Sequence, residues 1–172
     1  NKSCIASQQI EVRFSSAGQI PASLPGVGRV WLPLPLEEKT LAALPDGIEA
    51  GVEIPRALFG QQEHYRRLLR QAKALGVTRA MAGTLDGVAL AQQEGFAVQG
   101  GLGLNLFNSR ALETACEMGL QSALVSAEMT LHQADALKKP FPIGLFAYGR
   151  LPMMLTRNCP AAASCAQCSK NG

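Results

Sequence analysis

The residues best suited to metal chemistry lie in the closing stretch NCPAAASCAQCSKNG. Cys159, Cys165 and Cys168 form a C-x5-C-x2-C pattern there, so three thiolates can converge on one site. Zinc and iron–sulfur clusters both bind thiolates, and each usually takes four protein ligands. The pattern therefore predicts a metal or cluster site to which these residues contribute three ligands. A redox-active or unpaired tail is the alternative.

The other two cysteines are weaker candidates for a fourth ligand. Cys116 falls at helical spacing from Leu112, Ala115 and Gly119, which predicts a small side chain in the core. Cys4 lies close to the first residue, and we interpret it as incidental. Five unevenly spaced cysteines are not the even, dispersed set of a disulfide framework, and a tight cluster is typical of a reducing compartment. We therefore expect a cytoplasmic protein.

Polar side chains that could do acid–base chemistry or bind a substrate follow several apolar runs. In LVSAEMT, period-two alternation puts Ser126 and Glu128 on one side of an extended segment, where Glu128 could act as a general base or anchor a ligand. An acid that stabilises a helix start is the alternative. In VEIPR, Glu53 and Arg56 flank a proline, which indicates either a structural ion pair or a ligand contact.

The common catalytic motifs are missing from the sequence. It has no G-x-S-x-G and no H-E-x-x-H, and the residues alone do not assemble a nucleophile–base pair. His64 and His132 fall on predicted helices beside polar neighbours, which favours solvated helix surface. GGLGLN lies late in a predicted strand instead of opening a helix, so it indicates close backbone packing and not a dinucleotide loop.

Length and composition fit one folded domain. The chain has 172 residues, of which 47% are hydrophobic and 17% charged, and its net charge of +3 is too small to indicate nucleic acid or a membrane surface. No apolar run reaches a membrane-spanning length, and neither an initiator Met nor an apolar leader is visible. We expect one barrel-like domain over residues 1–172, taken from the C-terminal part of a longer protein, with 157–172 as a cysteine-rich tail.

Strands and helices alternate along the chain. Helical stretches end at Gly76, Gly95 and Gly119, where a helix C-cap favours positive φ, and each is followed by an apolar run. The predicted strands are IEVRFSS, RVWLPL, IEAGVEIP, residues 77–83, 96–104 and 122–126, and IGLFAYG. A helix over residues 61–75, another in LEEKTLAAL, a capping box at Thr130 and Gln133, and N-caps at Thr84 and Ser109 complete the pattern.

About seven strands joined by helices predict an α/β fold with a parallel sheet. A doubly wound sheet and a TIM-like barrel both fit, and seven strands favour an incomplete TIM-like barrel. Chemistry should then collect where the strands end. The side chains at these positions are Glu53, Pro55, Arg56, Asn105, Asn108, Ser126, Glu128, Tyr148 and Arg150.

Three strings occur in order and carry a family resemblance: N-x-F-N-S, L-x-S-x-E and Y-G-R-x-P-M-M-x-T-R-N-C-P. From about residue 53 onward, the sequence resembles the collagenase-like peptidase family, a bacterial and archaeal group of unassigned catalytic type. The match is to the C-terminal region of its larger members. Many shorter members read His-Gly where this chain has Tyr148 and Gly149.

The resemblance implies a TIM-like barrel and a four-iron four-sulfur cluster. Cys159, Cys165 and Cys168 match three cluster ligands, and the fourth family cysteine lies beyond Gly172. We therefore expect no intact cluster in these 172 residues alone. The strand-end residues Asn105, Asn108, Ser126 and Glu128 match family positions too.

The resemblance also sets the expected function. Members were named as peptidases, and others are tied to oxygen-independent hydroxylation of tRNA or ribosomal RNA bases, or of a quinone precursor. We expect an iron–sulfur enzyme that hydroxylates an RNA base. A collagenase-like peptidase and a non-catalytic binding or scaffold half are the alternatives.

The expected catalytic residues are Glu128 and Ser126. The expected substrate contacts are Glu53, Arg56, Asn105, Asn108, Tyr148 and Arg150. The expected partners are an RNA or peptide substrate and a second copy of the chain against an exposed sheet edge, with no membrane.

Overall fold

The computed structural model describes residues 9–151 and 154–155. In this part of the chain, seven strands alternate with helices. The strands are β1 (Ile10–Arg13), β2 (Val27–Pro33), β3 (Glu49–Glu53), β4 (Arg79–Ala82), β5 (Ala97–Gly100), β6 (Ser122–Leu124) and β7 (Ile143–Gly144). The α-helices are α1 (Glu38–Ala42), α2 (Gln62–Ala74), α3 (Leu85–Gln93), α4 (Ser109–Glu117) and α5 (Leu131–Ala136), with short 3-10 helices at Ala17–Gln19 and Leu102–Leu104.

The seven strands form one parallel sheet in the order β1-β2-β3-β4-β5-β6-β7. This sequential order excludes a doubly wound sheet, whose strand order reverses at a switch point. It is the order of a TIM-like barrel, in which each strand pairs with the next along the chain. Among the described residues, β1 and β7 are the two edges of the sheet. The predicted α/β fold, an incomplete TIM-like barrel, is therefore confirmed as an open half-barrel.

The core lies between the sheet and its helices. One face of the strands supplies Val30, Leu32, Val52, Val98 and Val125, each at most 1% exposed. The apolar stripes of the helices cover this face, with Leu69, Ala72, Val88, Leu90, Ala91, Leu112, Ala115 and Ala134. Right-handed crossovers place successive helices on the same side of a sequentially ordered sheet, so this face is the convex one.

The opposite, concave face is curved strongly enough to bring distant strands together. The Gln99 side chain on β5 donates a hydrogen bond to Glu11 on β1 at 2.8 Å. Four inter-strand spacings of about 4.8 Å separate these strands along the sheet. Two side chains cannot bridge that distance across a flat sheet, so the sheet curls around this contact.

Most local predictions are confirmed. Every predicted strand has its counterpart, and the helix predicted over residues 61–75 is α2. Gly76, Gly95 and Gly119 have φ of 89°, 74° and 86°. The capping box is present in full, with the Thr130 hydroxyl accepting from the Gln133 backbone N–H and the Gln133 side chain accepting in return.

Three predictions are wrong in detail. Cys116 is exposed, not a core residue, because α4 turns its Leu112 and Ala115 face to the sheet and Cys116 away from it. Asn108, not Ser109, is the N-cap of α4. The strand predicted over 96–104 ends at Gly100, because the chain turns into the Leu102–Leu104 3-10 helix.

Candidate functional site

The carboxyl ends of the parallel strands meet at one edge of the sheet, called here the carboxyl rim. In TIM-like barrels, this edge carries the chemistry. β3 ends at the predicted site residue Glu53, and the chain segments that follow β3, β5, β6 and β7 hold the others. The parallel topology therefore places those residues along a common edge.

Glu53 is the last residue of β3 and forms an ion pair at the carboxyl rim with a residue of β1. Its carboxylate accepts a hydrogen bond from the guanidinium of Arg13, at the end of β1. The two side chains are 25% and 49% exposed, so the pair is open to solvent. This contact joins strands that are not neighbours in the sheet. Arg56 lies three residues beyond the end of β3 and is exposed.

The loop between β5 and α4 carries two asparagines with different surroundings. Asn105 adopts the left-handed conformation with φ 48° and is exposed. A non-glycine residue in this region is uncommon, and asparagine tolerates it better than most. Asn108 caps α4, because its side-chain oxygen accepts from the Ala111 N–H at 2.9 Å. The NH2 group of Asn108 and the second lone pair of its side-chain oxygen remain available for other hydrogen bonds.

Ser126 and Glu128 do not share a face of an extended segment, so that prediction is wrong. The chain turns after Val125, and the Glu128 backbone N–H donates to the Ser126 hydroxyl oxygen at 3.3 Å. The turn buries Ser126, which is 4% exposed, and leaves Glu128 in solvent. The Ser126 side chain therefore faces the protein, whereas Glu128 faces solvent.

Tyr148 and Arg150 lie beyond β7, and both are exposed. The Tyr148 side chain is 97% exposed. The other predicted strand-end residues precede them along the chain. The three predicted metal ligands, Cys159, Cys165 and Cys168, lie outside the described residues. Within the described ranges, no group of three or more His, Cys, Asp or Glu side chains could hold a metal ion.

Below the rim, the concave face carries a network of charged side chains, called here the interior network. Arg29 lies at its centre and donates to Glu11 on one side and to Glu49 on the other, the latter at 2.6 and 2.8 Å. Arg79 donates to the second oxygen of Glu49. The network joins β1, β2, β3 and β4 through alternating carboxylates and guanidiniums.

Glu11 extends this network across the concave face. Its second carboxylate oxygen accepts from Trp31 Nε1 at 2.9 Å and from Gln99 Nε2 at 2.8 Å. The Gln99 side-chain oxygen accepts in turn from the Ser122 hydroxyl at 2.8 Å. The Arg29 guanidinium lies 5.6 Å from the centre of the Trp31 ring, within cation–π range. A continuous chain of hydrogen bonds thus reaches from β6 to β4.

The carboxylates of the interior network serve as acceptors for arginines. Partial burial of Glu49 raises its pKa, but hydrogen bonds and positive charge from Arg29 and Arg79 outweigh this, so its pKa lies below the ordinary value. A carboxylate held ionised in this way is a poor general base at neutral pH. These residues start their strands, on the side away from the rim, where barrels carry structural residues. We assign the interior network to a structural role.

A second ion-paired cluster fixes α2 against α3. Glu94 accepts from both Arg66 and Arg70, and these hydrogen bonds hold its pKa below the ordinary value. The Lys73 ammonium donates to the carbonyl of Glu94 at 2.6 Å, at the end of α3. This accounts for much of the basic charge on α2, which is therefore not a free basic surface.

Two apolar grooves lie on the convex side. The first, of about 430 Å³, runs between α3 and α4 and has Leu85 and Met118 at its edges. The second, of about 350 Å³, lies between α5 and β7. His64 and His132 are exposed in the first turns of α2 and α5, as expected for helix surface.

Sequence reasoning missed the interior network, although its signal is visible in the strands. Polar residues occur at every second position in IEVR, and Glu49 and Glu53 lie an even number of positions apart in EAGVE. GRVWLP, RAMA and AVQG each contain one polar residue, Arg29, Arg79 and Gln99. A strand that is buried on both faces normally reads as continuous apolar sequence. The period-two polar positions therefore pointed to the concave face.

None of the helices in the described part of the chain is long and apolar enough to cross a membrane. No family model, curated protein or solved structure matches the chain.

Proposed function

We propose that this sequence belongs to a cytoplasmic iron–sulfur enzyme that hydroxylates an RNA base. The observation that carries the proposal is the order of elements along the chain. Cys159, Cys165 and Cys168 follow a seven-stranded parallel half-barrel whose chain leaves β7 at its carboxyl end. That end is where barrel enzymes do their chemistry. A thiolate cluster that follows β7 in sequence is therefore close, along the chain, to the catalytic edge.

The three cysteines fit an iron–sulfur cluster in ligand chemistry and fall one short in number. Thiolates with a C-x2-C spacing are standard ligands of such clusters. Cys116 is a poor source of the fourth, since it lies near the end of α4 and helices in this fold begin, not end, at the rim. The family resemblance supplies the remaining cysteine from residues after Gly172 in the full-length protein. When bound, the cluster supplies one-electron chemistry.

The residues of the described chain have binding and positioning roles in this proposal. Glu128 is solvent-exposed and free to contact a base, and Ser126 fixes the turn that presents it. The exposed Tyr148 offers a ring on which an unpaired base can stack. The further substrate contacts are Glu53, Arg56, Asn105, Asn108 and Arg150.

The reaction replaces a C–H bond of the base with C–OH, which is a two-electron oxidation of the base. It needs an oxygen-atom donor as co-substrate, and the donor takes up those two electrons. The predicted independence from O2 means that the donor is another oxygen-bearing molecule. Because the net charge of the 172 residues is only +3, we expect most phosphate contacts to come from elsewhere in the full-length protein.

Nucleoside mass spectrometry of RNA tests the proposal. In cells that lack the full-length protein, one nucleoside should lose a single oxygen atom in mass. Restoring the wild-type protein should return that oxygen. Cys165→Ser should not return it, whereas Cys116→Ser, on the exposed end of α4, should. Unchanged RNA together with cleavage of gelatin or casein that is lost in Glu128→Gln would instead support the peptidase alternative.

A further inference from the structure

We infer that the surface formed by α5 and β7 binds a second copy of this chain. This surface, called here the edge patch, comprises the groove residues Leu131, Ala134, Asp135, Lys139, Ile143 and Leu145. The inference does not depend on the proposed cluster or on RNA hydroxylation, because it uses only residues of α5 and β7.

At the edge patch, the described residues leave apolar side chains of the convex face partly uncovered. In β2, β3 and β6, helix-facing side chains such as Leu32, Val52 and Ala123 are 0% exposed. By strand register, Ile143 and Leu145 point to the same face as these residues, since Ile143 pairs with Ala123. Yet Leu145 is 46% exposed and Leu131, on α5 beside it, is 73% exposed.

Exposed apolar side chains concentrate around this patch. Of the twelve large apolar residues exposed in the described ranges, seven lie between residues 131 and 155. They are Leu131, Leu145, Phe146, Tyr148, Leu151, Met154 and Leu155. Leu131 and Leu145 line one groove together with Ile143, and an exposed apolar groove is typical of protein–protein interfaces. β7 also has a free edge among the described residues, so its backbone groups are available to a partner strand.

The charges around the groove favour a second copy as the partner. Asp135 and Lys139 both line the groove, carry opposite charges and are exposed. The Lys139 ammonium is held there by the carbonyls of Asp135 and Leu137 at 2.6 and 3.3 Å. A two-fold interface sets the same patch of both protomers against itself. A patch with one charge of each sign can then place Asp135 of one protomer beside Lys139 of its partner.

Light scattering on a sizing column, in the presence of a thiol reductant, tests the inference. The wild-type chain should elute with twice its mass of 18.2 kDa across the micromolar range. Leu131→Asp and Leu145→Asp should each weaken the dimer at least about tenfold, since they place a charge in an apolar contact. Leu85→Asp is the matched control, because Leu85 is 63% exposed in the other groove and should leave the dimer intact.

Charge reversal provides a test that does not depend on apolar packing. Asp135→Lys should weaken the dimer, because Lys139 of the partner protomer then faces a positive charge in place of a carboxylate. The double variant Asp135→Lys with Lys139→Asp should restore it. Circular dichroism on each variant confirms that it folds. A monomeric wild-type chain, or a dimer that the edge-patch variants leave unchanged, would overturn the inference.

Discussion

Replacing Glu11 with alanine is the sharpest test of the interior network. The Glu11 carboxylate accepts hydrogen bonds from three side chains, namely Arg29 and Trp31 of β2 and Gln99 of β5. The Glu11–Gln99 bond joins β1 and β5 across the concave face of the curled sheet. Glu11→Ala should therefore loosen the half-barrel as well as remove hydrogen bonds.

The size of the effect follows from what is left behind. Trp31 is 2% exposed and Gln99 7% exposed, so both lose an acceptor in a site that water reaches poorly. An unsatisfied buried donor costs about 1–3 kcal/mol. Arg29 loses one carboxylate and keeps Glu49, which limits its contribution. Because water can enter and Glu11 itself no longer has to be desolvated, we expect a net loss of about 3–5 kcal/mol in the free energy of unfolding.

Arg13→Ala is the matched control, since Arg13 lies on the same face of β1 two residues away. Its pair with Glu53 is solvent-exposed, and such pairs contribute about 0–1 kcal/mol. Glu11→Gln separates charge from shape. Gln offers one acceptor and one NH2 group, so a donor must face a donor in either orientation, and at least about 2 kcal/mol should be lost.

Urea unfolding is the assay, followed by circular dichroism and by fluorescence. Trp31 is the one tryptophan of the chain and belongs to the network, so its emission reports directly on the concave face. Native Glu11→Ala should emit at longer wavelength than wild type as water reaches the indole. A loss in Glu11→Ala of no more than about 1 kcal/mol, equal to that of Arg13→Ala, would refute the reasoning.

Three further predictions concern pH and packing. The pKa of Glu49 is lower in the folded state than its ordinary value of 4.5, so ionised Glu49 stabilises the fold above pH 4.5 and this stabilisation is lost as the pH falls through the folded-state pKa. In unfolding curves measured at successive pH values, Glu49→Gln should therefore lose less stability in acid than wild type does. Gly51→Ala would set a Cβ 2.3 Å from the facing indole ring, so it should cost about 1–3 kcal/mol in thermal unfolding, while Gly18→Ala meets nothing within 4 Å and should change little. Asn108→Ala removes a helix-capping hydrogen bond and should lower the free energy of unfolding by about 1 kcal/mol in chemical unfolding. Thr84→Ala should cost less, because the Thr84 side chain makes no capping bond at its N-cap position. Equal losses in the two variants would contradict the capping argument.

The sequence predicted the architecture because its signals are local. Gly76, Gly95 and Gly119 mark helix ends through their tolerance of positive φ, and the apolar runs after them are strands. The Thr130 and Gln133 capping box depends on residues three positions apart, so it too can be read directly. Strand ends were harder to place, since residues after Gly100 remain apolar while the backbone turns into a 3-10 helix.

The site was harder to predict because side-chain direction depends on the whole fold. Period two put Ser126 and Glu128 together, but the turn after Val125 sends them to opposite environments. Helical spacing put Cys116 in the core, yet the neighbouring Leu112 and Ala115 define the buried face and Cys116 falls just outside it. The Glu11–Gln99 contact joins residues 88 positions apart, which no local pattern encodes.

The iron and acid-labile sulfide content of the full-length protein, purified without oxygen, tests the central claim most directly. We predict roughly four of each per chain and a broad absorption near 400 nm, both lost in Cys165→Ser and kept in Cys116→Ser. The 172 residues alone, with three of the four ligands, should retain little iron. A colourless, iron-free full-length protein that still hydroxylates RNA would contradict the account.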